Sequence, residues 1–137
     1  MKTKPILGQE DVQQIIDAAA AHANKNNWAV TIAVTDDGGH LLGLKRLDGA
    51  APVSAHIACA KAHAAALGRR ETKGYEDMIN NGRFAFLSAP AIEGMLEGGV
   101  PVMIEGQTIG AVGVSGVQAS QDAETAKAGI AAITSKG

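Results

Sequence analysis

The 137-residue chain has little of what a disulfide-linked, membrane-spanning or nucleic-acid-binding protein needs. Its single cysteine, Cys59, cannot form an internal disulfide, which is typical of a reducing compartment. No apolar run approaches the roughly 20 residues of a transmembrane helix, and the polar start with Lys2 and Lys4 is not followed by a signal-like segment. The formal net charge is −2, and no basic patch carries interleaved aromatics. We therefore expect a cytoplasmic protein with neither membrane nor nucleic acid as a partner.

Aromatic residues are equally scarce, at 3% of the chain, whereas glycine occurs 17 times and alanine is abundant. The length fits one domain over residues 1–137. Small side chains let backbones approach closely, but each buries little apolar area. A domain of this composition gains stability by association, so we expect a homo-oligomer.

Hydrophobic periodicity predicts the element order α-β-β-α-α-(β)-β-β-α. A first helix ends at residues 24–27, and the alternating run 29–35 predicts a strand covered on one face. The turn at 36–39 leads to a second strand, residues 40–46. The second helix starts near Pro52 and ends at Gly68, and a third covers about residues 75–87. The expected apolar stripe of the second helix is Val53, Ile57, Ala60, Ala64 and Leu67.

The last third of the chain, residues 98–116, predicts two short strands joined by a turn at Glu105-Gly106. Glycines at 110, 113 and 116 leave so little side chain that another surface must lie close to this backbone. A short strand at Met95-Leu96 would bring the antiparallel sheet to about five strands, with helices packed on it. The final helix covers about residues 121–134, with Ser120 as its N-cap.

Four segments carry a resemblance to a known family. They are IAVTDDGGHLLGLKRLDGA, GRRETKGYEDMINNGRFAF, LEGGVPVMIEGQTIGAVGVSG and QDAETAKAG. Together they resemble the haem-degrading or haem-binding domain family, and within it the subgroup encoded in glycolate-utilisation operons. The resemblance implies a three-layer α/β/α domain with a central antiparallel sheet, similar to profilin-like folds. It also implies assembly into dimers, tetramers or octamers, haem as a possible cofactor, and a role accessory to glycolate, small organic acid or diol catabolism.

The second helix carries His56, Cys59 and His63. The two histidines lie near each other along one border of the expected stripe, and either could offer an imidazole to haem iron. The alternative is that both are ordinary histidines at the edge of an alanine-rich helix. The spacing is not one of the recognised zinc patterns.

Two sets of charged residues could bind an anion. Arg46 and Asp48 end the second strand, and Lys61 could join them in gripping a carboxylate; the alternative is a salt bridge between strand and helix. Arg69 and Arg83 belong to subgroup-specific segments and could recognise a small organic acid or a haem propionate. The alternative for both arginines is a solvated connection whose charges pair with nearby carboxylates.

The glycine-rich segment could itself hold an anion on bare N–H groups near Gly113 and Ser115. The structural alternative is stronger: the glycines permit tight packing, and Asp122 caps the last helix. No phosphate-loop or dinucleotide pattern is present.

The leading interpretation is a ligand-binding protein whose pocket lies between the glycine-rich hairpin and the second helix. Its ligand is haem or another small anionic molecule. The alternative is an enzyme acting on a small hydroxy or oxo acid, with Lys61 or a histidine as base and arginines as the carboxylate clamp. A third interpretation is an assembly factor whose small-residue faces pack subunits.

Overall fold

The computed structural model describes residues 1–134, which form four α-helices and four β-strands. A 3₁₀ turn, Phe84–Ser88, lies between the third helix and the third strand. In chain order the regular elements are α1 (Gln9–Lys25), β1 (Thr31–Asp36), β2 (Leu41–Arg46), α2 (Val53–Gly68), α3 (Thr72–Asn80), β3 (Gly99–Ile104), β4 (Gln107–Ser115) and α4 (Ala119–Thr134).

The strands form one antiparallel sheet in the order β2-β1-β4-β3. The expected mixed α+β class with an antiparallel sheet is confirmed, but the expectation of about five strands is wrong for residues 1–134. Met95 and Leu96 form no strand, because the Leu96 carbonyl accepts its hydrogen bond from the Thr72 hydroxyl rather than from a neighbouring strand.

Helices cover both faces of the sheet. On one face α1 and α4 pack against each other and against the strands, and on the other face α2 lies across β4, β1 and β3. The predicted first helix is confirmed, and the apolar residues of α1 are buried. They are Val12, Ile15, Ile16, Ala19, Ala20 and Ala23.

Strand β1 is covered on both faces, so the prediction of a strand covered on one face is wrong. Ile32 and Val34 belong to the main core on the α1 side. Thr31, Ala33 and Thr35 are also buried, and Ala33 packs against alanines of α2. The small residues that suggested an open face are small because a helix lies directly on them.

The stripe predicted for α2 is wrong as well. Val53 and Leu67 are exposed, whereas the buried side of the helix includes Ser54, Ala58 and Lys61. An alanine-rich helix has nearly the same hydrophobicity on every side, so periodicity alone could not orient it. Apart from Lys61, the buried residues of α2 are serine and alanine.

Residues 81–97 connect α3 to β3 and include no buried residue. The helix predicted over 75–87 is interrupted here, since α3 ends at Asn80 and Gly82 adopts a φ of 109°, which is incompatible with helix. Ser120, the expected N-cap of the last helix, lies inside α4. None of the helices within residues 1–134 is long and apolar enough to cross a membrane.

Candidate functional site

The glycine-rich hairpin packs directly on α2. A Cβ at Gly113 would overlap the main chain at Ala58 and Ala62, and one at Gly99 would overlap the main chain of Lys61. The expectation that another surface lies against this bare backbone is therefore met by the protein's own helix. The pocket predicted between hairpin and α2 is absent from the described residues, because helix backbone fills that space.

Lys61 and Asp122 form a buried ion pair beside this contact. Lys61 Nζ lies 3.0 Å from Asp122 Oδ2 and donates to the Val114 carbonyl at 2.9 Å, and both side chains are only 4% exposed. Asp122 Oδ1 accepts the Val117 N–H, so Asp122 holds the turn that leads into α4. Burial raises the pKa of Asp122 above its usual 3.8, against the opposing effect of the Lys61 ammonium. The pair ties α2 to the start of α4.

The anion clamp suggested by the sequence is not assembled around Lys61. Arg46 and Asp48 are exposed at the end of β2, where they line a polar cleft of about 440 Å³. Arg46 Nε donates to the Ala50 carbonyl at 3.1 Å. Among the described contacts of Lys61 Nζ, the polar partners are Val114 and Asp122.

Arg69 and Arg83 also lie apart from Lys61's buried pair. Arg69 caps the end of α2 with a φ of 58° and donates to the carbonyls of Asp37 and Ala66. Lys4 pairs with the same Asp37 at 2.6 Å, and its hydrogen bond lowers the pKa of that carboxyl. Arg83 is exposed and immediately precedes the 3₁₀ turn.

The opposite side of α2 borders an open cleft of about 550 Å³, a size typical of small-molecule sites. The cleft lies between the end of β1, the turn into β2, the outer side of α2 and the loop that follows the 3₁₀ turn. We call it the α2 cleft. Its lining includes Thr35, Leu41, Cys59, His63, Leu87 and Ile92.

His63 is the histidine that reaches the α2 cleft, whereas His56 is exposed on α2 and does not line it. The ring of His63 lies between two main-chain carbonyls. Nδ1 is 3.0 Å from the Gly39 oxygen, and Nε2 is 3.2 Å from the Ala91 oxygen. The candidate iron ligand is thus held in place from both sides.

Two further polar groups line the α2 cleft. The hydroxyl of Thr35 is buried, the residue being 1% exposed, and within the described chain it is the one buried side-chain polar atom without a hydrogen-bond partner. An unpaired buried hydroxyl costs about 1–3 kcal/mol, and a polar ligand group that reached it would recover part of that cost. Burial raises the pKa of the Cys59 thiol, which keeps the sulfur protonated and neutral at pH 7.

Glu93 is the acidic side chain among the residues that line the cleft, and neither Lys nor Arg joins it there. Its carboxylate disfavours an anion inside the cleft. Within the described residues no group of three His, Cys, Asp or Glu side chains could hold a bare metal ion. One imidazole in a cleft lined by both polar and apolar groups instead suits a metal that already carries most of its ligands, as haem iron does.

The sequence identified His63 and Cys59 but not the cleft residues outside α2. Thr35 follows four buried residues of β1, and nothing local marks its hydroxyl as unpaired. Leu87, Ile92 and Glu93 lie more than 20 residues away from His63 in the chain. The loop between α3 and β3 brings them to the same cleft as His63. The signal that the sequence offers is an apolar residue, Leu87, in a stretch rich in turn residues.

Comparison with known proteins identifies the family of this chain. The family description "Haem degrading protein HbpS-like" matches residues 7–131. Protein GlcG of Escherichia coli (strain K12) is 63% identical over 84% of this chain and 85% of its own. The crystal structure of Klebsiella pneumoniae protein ORFY superposes with a TM-score of 0.88 at 28% identity, covering 100% of this chain and 98% of that one. The PduOC:heme complex superposes with a TM-score of 0.84 at 27% identity, covering 95% and 96%. The chain therefore belongs to the HbpS-like family.

Proposed function

We propose that this protein binds haem in the α2 cleft, with His63 as the iron ligand. The observation that carries the proposal is the position of His63 in an open cleft that also exposes the apolar side chains of Leu41, Leu87 and Ile92. The family description and the haem complex of a structural neighbour support it.

Each side chain of the cleft has a distinct part in this proposal. Leu41, Leu87 and Ile92 exclude water from a flat apolar face. His63 binds the iron, and the Gly39 carbonyl fixes its ring by accepting from Nδ1. The neutral Cys59 thiol adds no charge. Bound haem would supply an iron centre able to bind small molecules or change oxidation state. The Glu93 carboxylate would disfavour an anionic group close to it.

The direct test is a haemin titration followed by the Soret band. We expect wild-type protein to shift the band and His63→Ala to lose at least tenfold in affinity, since even the loss of a residue that only supports a metal ligand costs about 10–100-fold. His22→Ala is the matched control, because His22 pairs with Glu124 on the opposite layer of the fold. His56→Ala separates the two sequence candidates and should retain binding. A His63→Ala protein that binds haemin like wild type would contradict the proposal.

We further propose that the protein serves in the cytoplasm as an accessory to glycolate, small organic acid or diol catabolism. The 63% identity with protein GlcG supports this assignment to the glycolate-operon subgroup. On glycolate, a deletion strain should grow more slowly than the wild-type strain, whereas on glucose the two should grow equally. The wild-type gene should restore growth on glycolate, and the His63→Ala gene should not. Equal growth on glycolate with and without the gene would count against this role.

We also propose that the chain forms a homo-oligomer, a dimer, tetramer or octamer. Edge strand β2 exposes Leu41, Leu42 and Leu44, which leaves apolar side chains and unpaired backbone groups at one border of the sheet. Light scattering should give a mass that is a multiple of 13.9 kDa. Leu42→Lys should lower that mass, and a wild-type monomer at micromolar concentration would refute the oligomer.

A further inference from the structure

Residues 84–96 form one wall of the α2 cleft, and we call this segment the lid. It contains no buried residue, and it exposes three large apolar side chains: Phe84 at 65%, Leu87 at 64% and Leu96 at 46%. Apart from the 3₁₀ turn Phe84–Ser88 the lid has no regular structure, and long irregular connections are uncommon in a compact domain unless they are functional. With so few buried contacts, the lid is among the parts of the fold that open at the lowest cost.

Two contacts hold the lid against α2, while on α3 the Tyr75 ring stacks on Phe86 and the Thr72 hydroxyl donates to the Leu96 carbonyl. Gly94 packs closely on the helix, where a Cβ would lie 2.7 Å from the Cβ of Ala60. The carbonyl of Ala91 lies 3.2 Å from His63 Nε2. Ala91 makes this contact with a φ of 68°, a left-handed conformation that costs a non-glycine residue about 1–2 kcal/mol. The closed position therefore contains strain, which the His63 contact offsets when Nε2 carries the ring hydrogen and donates to the Ala91 carbonyl.

The His63 ring cannot satisfy both of its carbonyl neighbours when it is neutral. A neutral imidazole has one N–H, yet both ring nitrogens face carbonyl oxygens, of Gly39 and of Ala91. In this arrangement neither nitrogen offers a free lone pair to a metal. The contact with the Ala91 carbonyl is longer and more exposed than the contact with the Gly39 carbonyl, and Ala91 has the strained backbone conformation. We therefore expect the Ala91 contact to break before the Gly39 contact.

The lid also separates two cavities. A second cavity of about 340 Å³ lies between the lid and α3, and it shares Leu87, Ile92 and Glu93 with the α2 cleft. Both cavities are lined in part by apolar side chains of the lid. Displacing the lid would join them into one larger groove.

We propose that the lid is a gate latched by the His63–Ala91 contact, and that its opening creates the ligand-binding form of the site. Opening frees His63 Nε2 as a metal ligand and joins the two cavities into a groove for a flat, largely apolar ligand too large for either alone. The proposal rests on the proposed function for the identity of that ligand, but the gate itself is a property of the free protein.

Opposite substitutions at Ala91 test the gate. Glycine adopts positive φ without strain, so Ala91→Gly stabilises the latched form and should slow haemin association about fivefold. Proline fixes φ near −65°, so Ala91→Pro cannot adopt the latched conformation and should speed association. Chymotrypsin, which cleaves after exposed Phe and Leu, should cut the ligand-free lid faster in Ala91→Pro and more slowly in Ala91→Gly.

Glu105→Gly is the matched control, because Glu105 has a φ of 51° in the β3–β4 turn, which does not line the cleft.

Metal-free protoporphyrin separates opening of the gate from ligation by His63. Ala91→Pro should speed its association as it does that of haemin, whereas His63→Ala should weaken haemin far more than the metal-free porphyrin. Equal cleavage and equal association rates in wild type, Ala91→Gly and Ala91→Pro would overturn the gate and leave the proposed function intact. If no protein binds either porphyrin but the cleavage order holds, the proposed function fails and the gate stands.

Discussion

The two sides of α2 face two very different regions of the molecule. One side meets the sheet at Gly99 and Gly113 so closely that main chain touches main chain, and the buried Lys61–Asp122 pair lies beside that contact. The other side carries Cys59 and His63 into an open cleft whose far wall has no buried residue. The glycine-rich segment that is most distinctive in the sequence serves the packed side.

The difference shows that close backbone approach and ligand binding are separate uses of small residues. Glycine at 113 admits a helix, and the helix leaves no space for anything else. The open side instead has the Thr35 hydroxyl, which lacks a hydrogen-bond partner, and the solvent-exposed side chains of Leu41 and Leu87. We therefore assign structure to the first side and ligand binding to the second.

The largest expected effect is on the packed side. Asp122→Ala leaves the Lys61 ammonium buried without its carboxylate, which should lower the free energy of unfolding by about 3–5 kcal/mol. Urea denaturation measures the change. The matched control is Glu124→Ala, which removes an exposed partner of His22 and should cost below about 1 kcal/mol. Similar losses in the two variants would break the comparison, because the packed side would then not depend on its buried pair.

The next effect comes from a single added methyl group. Gly113→Ala places a Cβ on the main chain of α2 and should cost about 3 kcal/mol in urea denaturation, since backbone cannot move aside as a side chain can. Gly8→Ala adds the same atom where the nearest neighbour would be 3.6 Å away, and should cost at most about 1 kcal/mol. If Gly113→Ala were as mild as Gly8→Ala, the helix would not be packed as closely as described.

The open side should respond in the opposite direction. Thr35→Val replaces the unpaired hydroxyl with a methyl of similar shape, so the free energy of unfolding should rise by about 1 kcal/mol. Thr31→Val is the matched control on the same strand, and it should destabilise because the Thr31 hydroxyl hydrogen-bonds Ser54. Destabilisation by Thr35→Val would mean that its hydroxyl already has a partner.

The smallest effect concerns the turn that borders the cleft. Because the Lys4 hydrogen bond lowers the pKa of Asp37 below 3.8, this carboxyl contributes stability above that pH and loses it as pH falls through the lowered pKa. Asp37→Asn should therefore cost about 0.5 kcal/mol at pH 7 and nothing near pH 2, measured by urea denaturation across pH. A difference that grows as the pH falls would contradict this sign.

The sequence predicted much of the fold because α1, the hairpins and α4 have strong local patterns. It could not orient α2, since alanine occurs on every side, and so it expected Lys61 to join Arg46 and Asp48 rather than to lie buried. His63 was named from its residue type. Its partners Gly39 and Ala91 come from a turn and a loop that only the tertiary fold brings to the same ring.

Backbone NMR with metal-free and zinc protoporphyrin tests the central assignment most directly. The assignment predicts amide shift changes at residues 35–41, 59–63 and 87–96, around His63, and little change at Gly99 or Gly113. Changes concentrated at the β3–β4 hairpin or around Arg46 and Asp48, with the α2 cleft unaffected, would contradict it.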